Sequence, residues 1–252
     1  MNTSFTRGAL SLPALMVFTL LLLTPIKARS SEPAVSPEAT VLLEQMTQYL
    51  SSLEQFHVKT ENTLEDLLDS GNRVDLDVSA NVLIKRPHML KSERKGEVVD
   101  QSFYYDGKEL TLYNHSNNVY ATKSVPNTFE ELFQYMYDSL GFAVPVSDLL
   151  YKDAYPLLMK DVTMAKVIRT TTLQGISCTH LLFSQPGVDF QVWVAEGNKP
   201  LPLKYVVTDT SIPARMSVST TLSDWNLNPA ADDSQFTFTP PADAQKVDFL
   251  PL

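Results

Sequence analysis

The sequence predicts a mainly β protein with α-helices, built on a single strongly curved antiparallel sheet. Long segments alternate apolar with polar residues, which is the period of strands that bury one face. Turn-forming clusters follow one another at intervals of about a dozen residues, as in a meander of antiparallel strands. The pattern predicts roughly nine to eleven strands, a number that favours a curled sheet over a flat one. The apolar helical segments 36–56 and 127–160 are available to cover its concave face.

The first element is an amphipathic helix that begins at Ser36-Pro37. Serine caps helix N-termini, and proline suits the first helical position. Apolar residues then recur at helical spacing from Leu42 to Leu53. This helix is expected to lie on an apolar surface.

A long strand follows at residues 73–85, with apolar residues at the even positions. Val78, Val82 and Ile84 lie on this apolar face. Arg86 keeps the same parity, and the following proline holds it extended, so we expect it on the rim of the concave face. A guanidinium that points to the apolar side needs acceptors. The alternative is a structural hairpin in which Arg86 turns to solvent.

Further strands surround a helical insert. Asp106-Gly107 is a two-residue hairpin signal between two strands. Residues 127–160 then interrupt the strands with helical spacing and many aromatic rings. Asn127 and Glu130 can form a capping box, and Gly141 can end the helix. The apolar positions that mark this helix as a candidate cover are Phe129, Phe133 and Met136.

The N-terminal 28 residues are typical of a secretory signal peptide. Arg7 precedes a short apolar run, and Ala28 stands at a suitable cleavage site. We therefore expect an exported protein, soluble after cleavage, with residues 29–252 as its one domain. Cleavage removes Arg7 and Lys27 and no acid, which changes the formal charge from −9 to −11. The alternative is an uncleaved anchor.

Composition excludes several classes of protein. The chain has 252 residues, 44% of them hydrophobic and 19% charged, as in ordinary folded proteins. Cys178 is the single cysteine, which rules out an intrachain disulfide, a zinc ribbon and an iron–sulfur site. An acidic chain without a Lys/Arg cluster argues against a nucleic-acid partner. No metal or cofactor is expected.

The motifs of common enzymes are missing. There is no H-E-x-x-H, G-x-S-x-G, P-loop or G-x-G-x-x-G sequence. Cys178 and His180 share one face of a predicted strand, and such a pair can be nucleophilic. The same spacing fits a small buried residue beside a core histidine, which is the interpretation adopted here. No catalytic residue is predicted, and a hydrolase is kept only as a third alternative.

Four short strings resemble the LolA/LolB-like lipoprotein localisation factor superfamily. Their order and rough spacing match over residues 36–241. The second half, with Lys199–Pro202 and Ser223–Leu227, is more similar still to an uncharacterised family of exported bacterial proteins within that superfamily. The four strings are Phe56-His57, Leu83-Ile84-Lys85-Arg86-Pro87, Asp106–Leu110 with Leu112–Asn114, and Phe236–Pro241.

The resemblance implies an incomplete β-barrel with helices that form a lid over an apolar cavity. It also implies that Arg86, in Lys-Arg-Pro, holds the lid through hydrogen bonds to backbone carbonyls. Four residues after Arg86, the family has an aromatic residue in the cavity. This chain has Leu90 there, so the resemblance does not identify the cargo. The insert 127–160 is longer than expected of a dedicated lipoprotein carrier.

The function expected is that of a periplasmic carrier or binding protein for an acyl chain or another amphiphile, such as a lipoprotein or a lipid. Membrane-bound donor or acceptor proteins are candidate partners. The alternative is a non-catalytic envelope sensor or assembly accessory that binds a protein partner. Arg86 is the expected lid latch, and the expected cavity residues are Val78, Val82, Ile84, Leu90, Phe129, Phe133 and Met136.

Overall fold

The computed structural model describes residues 34–97, 99–141 and 144–249. The expected signal peptide, residues 1–28, lies outside the described residues. Within the described ranges, no helix has the length and apolarity that crossing a membrane requires.

The described chain forms three α-helices and twelve strands. The helices are α1 (Pro37–Ser52), α2 (Phe129–Leu140) and α3 (Ala154–Met159), with 3₁₀ turns at Ser147–Leu150 and Asp233–Phe236. The strands are β1 (Gln55–Leu67), β2 (Arg73–Lys85), β3 (Met89–Gly96), β4 (Asp100–Tyr105), β5 (Glu109–Asn114), β6 (Val119–Ser124), β7 (Met164–Leu173), β8 (Ile176–Gln185), β9 (Val188–Ala195), β10 (Pro202–Asp209), β11 (Ser217–Asn226) and β12 (Gln245–Lys246).

All twelve strands belong to one sheet in the order β12-β6-β5-β4-β3-β2-β1-β11-β10-β9-β8-β7. Two meanders, β1 to β6 and β7 to β11, are joined through the antiparallel pair β1–β11. The predicted open antiparallel sheet is confirmed. The count exceeds the expected nine to eleven, and the two-residue β12 pairs with β6 in parallel, which no sequence pattern signalled.

Helix α1 begins as the sequence predicted. The Ser36 hydroxyl accepts a hydrogen bond from the Ala39 N–H at 3.4 Å, with Pro37 in the first turn. Residues at positions i, i+4, i+7 and i+11 then form one buried stripe, which packs the helix on the sheet. The stripe consists of Ala39, Leu43, Met46 and Leu50.

Helix α2 begins one residue later than the proposed capping box. Thr128, not Asn127, is the N-cap: its hydroxyl accepts from the Glu131 N–H at 3.2 Å. Both residue types can cap, and the backbone at Thr128 has the extended conformation of an N-cap. Gly141 ends the helix in the left-handed region at φ 68°, as predicted.

Candidate ligand cavity and its cover

An apolar cavity of about 100 Å³ lies between the sheet and the insert. Seven adjacent strands, β5 through β1 followed by β11 and β10, contribute to its wall. In a flat sheet these strands would span about 29 Å, since neighbours lie about 4.8 Å apart. A space this small can touch all of them only if the sheet wraps around it, which is the strong curvature that the sequence predicted.

The cover of the cavity comes from three parts of the chain. Leu50 reaches in from the end of α1, and one face of α2 follows it. The 3₁₀ turn and the residues just before it close the remainder. From the insert, the lining residues are Leu132, Phe133, Met136, Val144, Pro145, Val146, Leu149 and Leu150.

Five of the seven predicted cavity residues line this space: Val78, Val82, Leu90, Phe133 and Met136. The other two are placed in the packed core beside it. Ile84 is fully buried between Phe56 and Leu90 of the neighbouring strands. Phe129 is held between Tyr105 and Phe133, with ring centroids 6.2 and 5.9 Å away. Contact of any of the seven with a ligand remains a prediction.

The sequence reasoning missed the polar part of the wall. Thr60, Asn62, Ser92 and Arg94 all line the cavity. The available signal was parity, because these positions continue the alternation of apolar neighbours on β1 and β3. A polar residue is normally assigned to the solvent face of a strand, so residue type alone places these four side chains on the wrong face.

Trp225 was missed for a geometric reason. The pairing of β1 with β11 shifts between His57 and Lys59, which marks a β-bulge, and Asp224 has a positive φ of 52°. A bulge reverses the parity of the residues beyond it. Strict alternation from Leu222 would have placed Asp224 inward, whereas Trp225 lines the cavity.

The indole N–H of Trp225 is buried and has no acceptor within the described residues. The ring packs at 5.4 Å from Phe56, in apolar surroundings. A buried donor without a partner costs about 1–3 kcal/mol, and native interiors contain few of them. Trp225, a residue of the cavity wall, therefore carries a buried donor without a partner in the described part of the chain.

Arg86 lies directly after β2 and reaches the insert. Its Nη1 donates a hydrogen bond to the carbonyl oxygen of Leu150 at 2.7 Å. The Nε and Nη2 atoms are buried without a partner in the described ranges. Burial lowers the pKa of Arg86, and the charge of Glu130 opposes this shift. The guanidinium thus stays a charged donor that ties the sheet rim to the 3₁₀ turn.

A second polar contact joins the same turn to β10. The Tyr205 hydroxyl donates to Oδ2 of Asp148 at 2.6 Å. Burial of the carboxyl group raises the pKa of Asp148. Burial and the neighbouring carboxylate raise the pKa of Tyr205 as well. The short turn is therefore held at two points, Leu150 and Asp148.

The Cys178–His180 pair lies away from the cavity. Cys178 is fully buried in a separate small cluster with Ala195 and Leu203. Burial raises the pKa of its thiol, so the unreactive protonated form is favoured. His180 is hydrogen-bonded to Gln191 at 2.9 Å and stacks on Trp193. Among the described residues, no three His, Cys, Asp or Glu side chains are grouped to hold a metal ion.

The solved structures that are similar to this chain have low sequence identity to it. An uncharacterized conserved protein from Thermus thermophilus is 12% identical, over 84% of this chain and 99% of that one, with a TM-score of 0.49. The lipoprotein LppX of Mycobacterium tuberculosis is 15% identical, over 78% and 99%, with a TM-score of 0.43. The LolA superfamily protein NE2245 of Nitrosomonas europaea is 11% identical, over 79% and 97%, with a TM-score of 0.39.

Among curated proteins, no sequence matches this chain significantly. One protein family does match, over residues 39–250, which is most of the chain, and it is described as predicted periplasmic protein (DUF2092). The exported bacterial family and the periplasmic location expected from the sequence agree with that description. The chain belongs to the DUF2092 family of predicted periplasmic proteins.

Proposed function

We propose that this protein is a periplasmic carrier or binding protein that takes an acyl chain or a similar amphiphile into the cavity beneath the insert. The observation that carries the proposal is the cavity itself, an apolar space of about 100 Å³ between the sheet and the insert. A solid core would have no such space. The strongly acidic chain is also repelled by anionic lipid surfaces, which suits a protein that moves between membranes.

The described conformation is the closed one. Its space of about 100 Å³ is smaller than the roughly 150 Å³ void that accepts benzene. A hydrocarbon chain therefore requires the insert to move away from the sheet. Each buried CH₂ then contributes about 0.8 kcal/mol, so one or two chains give a useful and reversible affinity.

Arg86 is the proposed latch of this cover. One hydrogen bond to the Leu150 carbonyl holds the 3₁₀ turn against the sheet, while two buried guanidinium nitrogens without partners weaken the closed state. A tie of this kind can be released by the ligand.

Binding is tested with the neutral fluorescent probe N-phenyl-1-naphthylamine. Saturable binding by the folded protein is expected, and its absence rejects the carrier. Lipids and acylated proteins that co-elute from native periplasm are then identified by mass spectrometry. Arg86→Leu should release the probe faster than wild type, because Leu150 loses its donor. Arg169→Leu is the matched control, since Arg169 is an exposed arginine on β7. An unchanged release rate in Arg86→Leu rejects the latch.

A protein partner is the second candidate function. The outer side of the insert exposes two large apolar side chains, Tyr137 at 65% and Leu157 at 44%. Such residues favour a sensor or an assembly accessory that docks through its cover. No probe binding, combined with capture of one specific periplasmic protein that Tyr137→Ser and Leu157→Ser abolish, would establish this function instead.

A further inference from the structure

The cavity wall changes from apolar to polar along the strands. The row of paired residues nearest the latch is apolar throughout and fully or nearly fully buried. Arg94 lies four residues after Leu90 on β3, and it is paired in a second row with Ala80 and Thr60. Asn62 and Thr220, which pair with each other, lie one step farther from the latch. The members of the apolar row are Phe56, Ile84, Leu90, Tyr105 and Leu110.

The neutral polar groups of the far end satisfy one another. The Asn62 amide donates to the Thr60 hydroxyl and to the Val78 carbonyl, each at 3.0 Å. The Thr220 hydroxyl donates to the Asn62 carbonyl oxygen at 2.8 Å. This network is structural, and it consumes the groups that could otherwise have served Arg94.

Arg94 is left with a charge and no counter-ion. Its guanidinium is half-buried and lies over the ring of Phe103, 5.5 Å from the ring centroid. Within the described part of the chain it has no hydrogen bond and no ion pair. Its neighbours Glu93 and Lys95 point to the other face of the sheet. Burial alone lowers its pKa, with no contribution from an acidic side chain. An arginine remains charged even so, and its fork of donors fits a carboxylate or a phosphate.

We propose that Arg94 binds the anionic head of an amphiphile whose hydrocarbon chain lies along β3 toward Leu90. The four residues that separate Leu90 from Arg94 span about 14 Å of strand, which sets tail and head at opposite ends of one cavity. The carboxylate of a fatty acid and the phosphate of a monoacyl lipid supply the same chemistry. This inference rests on the proposed carrier function and names its ligand class.

The test measures displacement of the neutral probe N-phenyl-1-naphthylamine by three ligands with the same twelve-carbon chain. Dodecanoate, dodecyl phosphate and dodecanol differ only in their heads. A charged hydrogen bond predicts that the anions bind wild type at least about tenfold more tightly than the alcohol. Arg94→Lys and the exposed-arginine control Arg169→Met should keep this preference. Arg94→Met and Arg94→Gln, verified as folded by circular dichroism, should reduce it below about twofold.

The outcomes separate this inference from the carrier function. Equal binding of the three ligands by wild type, or a preference that survives in both neutral variants, overturns the role of Arg94 and leaves the carrier standing. If the protein binds neither the probe nor any of the three ligands, both the role of Arg94 and the carrier function are rejected. If acetate or inorganic phosphate competes as strongly as the acyl anions, the proposal that the ligand is an amphiphile is rejected, because the hydrocarbon chain would then contribute nothing to binding. A preference for only one of the two anions supports the inference and assigns the head.

Discussion

Filling the cavity is the most direct test of whether it is a ligand space. Val82 lies on β2 and lines the cavity, and Val82→Phe would place a ring in it. Voids of this kind cost about 24 cal/mol per Å³, so a space of 100 Å³ corresponds to about 2.4 kcal/mol. A phenyl ring that occupies about half of it should stabilise the protein by about 1 kcal/mol. For a domain of this size, that raises the Tm by about 2–4 °C.

The same variant should no longer bind a ligand. We expect Val82→Phe to weaken the affinity for N-phenyl-1-naphthylamine by at least about tenfold, as measured by fluorescence titration beside a calorimetric melt. Val41→Phe is the matched control, because Val41 is an exposed residue of α1 at 48%. A solid core gives the opposite result, since overpacking costs about 1–3 kcal/mol. A lower Tm together with unchanged probe binding would refute the reasoning.

Two further predictions concern buried polar groups. The pKa of Asp148 is raised in the folded state, so the folded protein holds that proton more tightly than the unfolded chain does, and this stabilisation is lost as the pH rises through the folded pKa. Urea unfolding should therefore show that the free energy of unfolding of wild type falls relative to that of Asp148→Asn as the pH rises from about 4 to 7. If the free energies of the two proteins change in parallel with pH, this prediction is wrong. Trp225→Phe removes an unmatched donor and keeps a ring, so the free energy of unfolding should stay within about 1 kcal/mol of wild type. A loss above about 2 kcal/mol would contradict this prediction.

Local patterns predicted the parts of the fold that depend on local chemistry. The alternation along β2 correctly placed Val78 and Val82 on the inner face, and the proline after Arg86 marked the strand end. The helical spacing of α2 identified the cover. In each case the period of the side chains is enough to define a face, and no distant partner is needed.

Parity could have marked Asn62 as an inward position, but the partner that satisfies its side chain could not be predicted from a local pattern. The Asn62 carbonyl oxygen accepts from Thr220, which is 158 residues away and lies beside it across the β1–β11 pair. No local pattern reveals which two meanders share an edge. The inward turn of Trp225 depends on a bulge, which is a one-residue irregularity in that same pair.

The junction of β1 with β11 also has a consequence for the order in which the protein assembles. β1 gains its second neighbour only when residues 217–226 arrive, so the first meander keeps a bare strand edge until nearly the whole polypeptide has been delivered. Contacts between such remote segments slow folding, and unpaired edges invite association with other chains. A nascent polypeptide that emerges N-terminus first would therefore benefit from a holding chaperone during that interval.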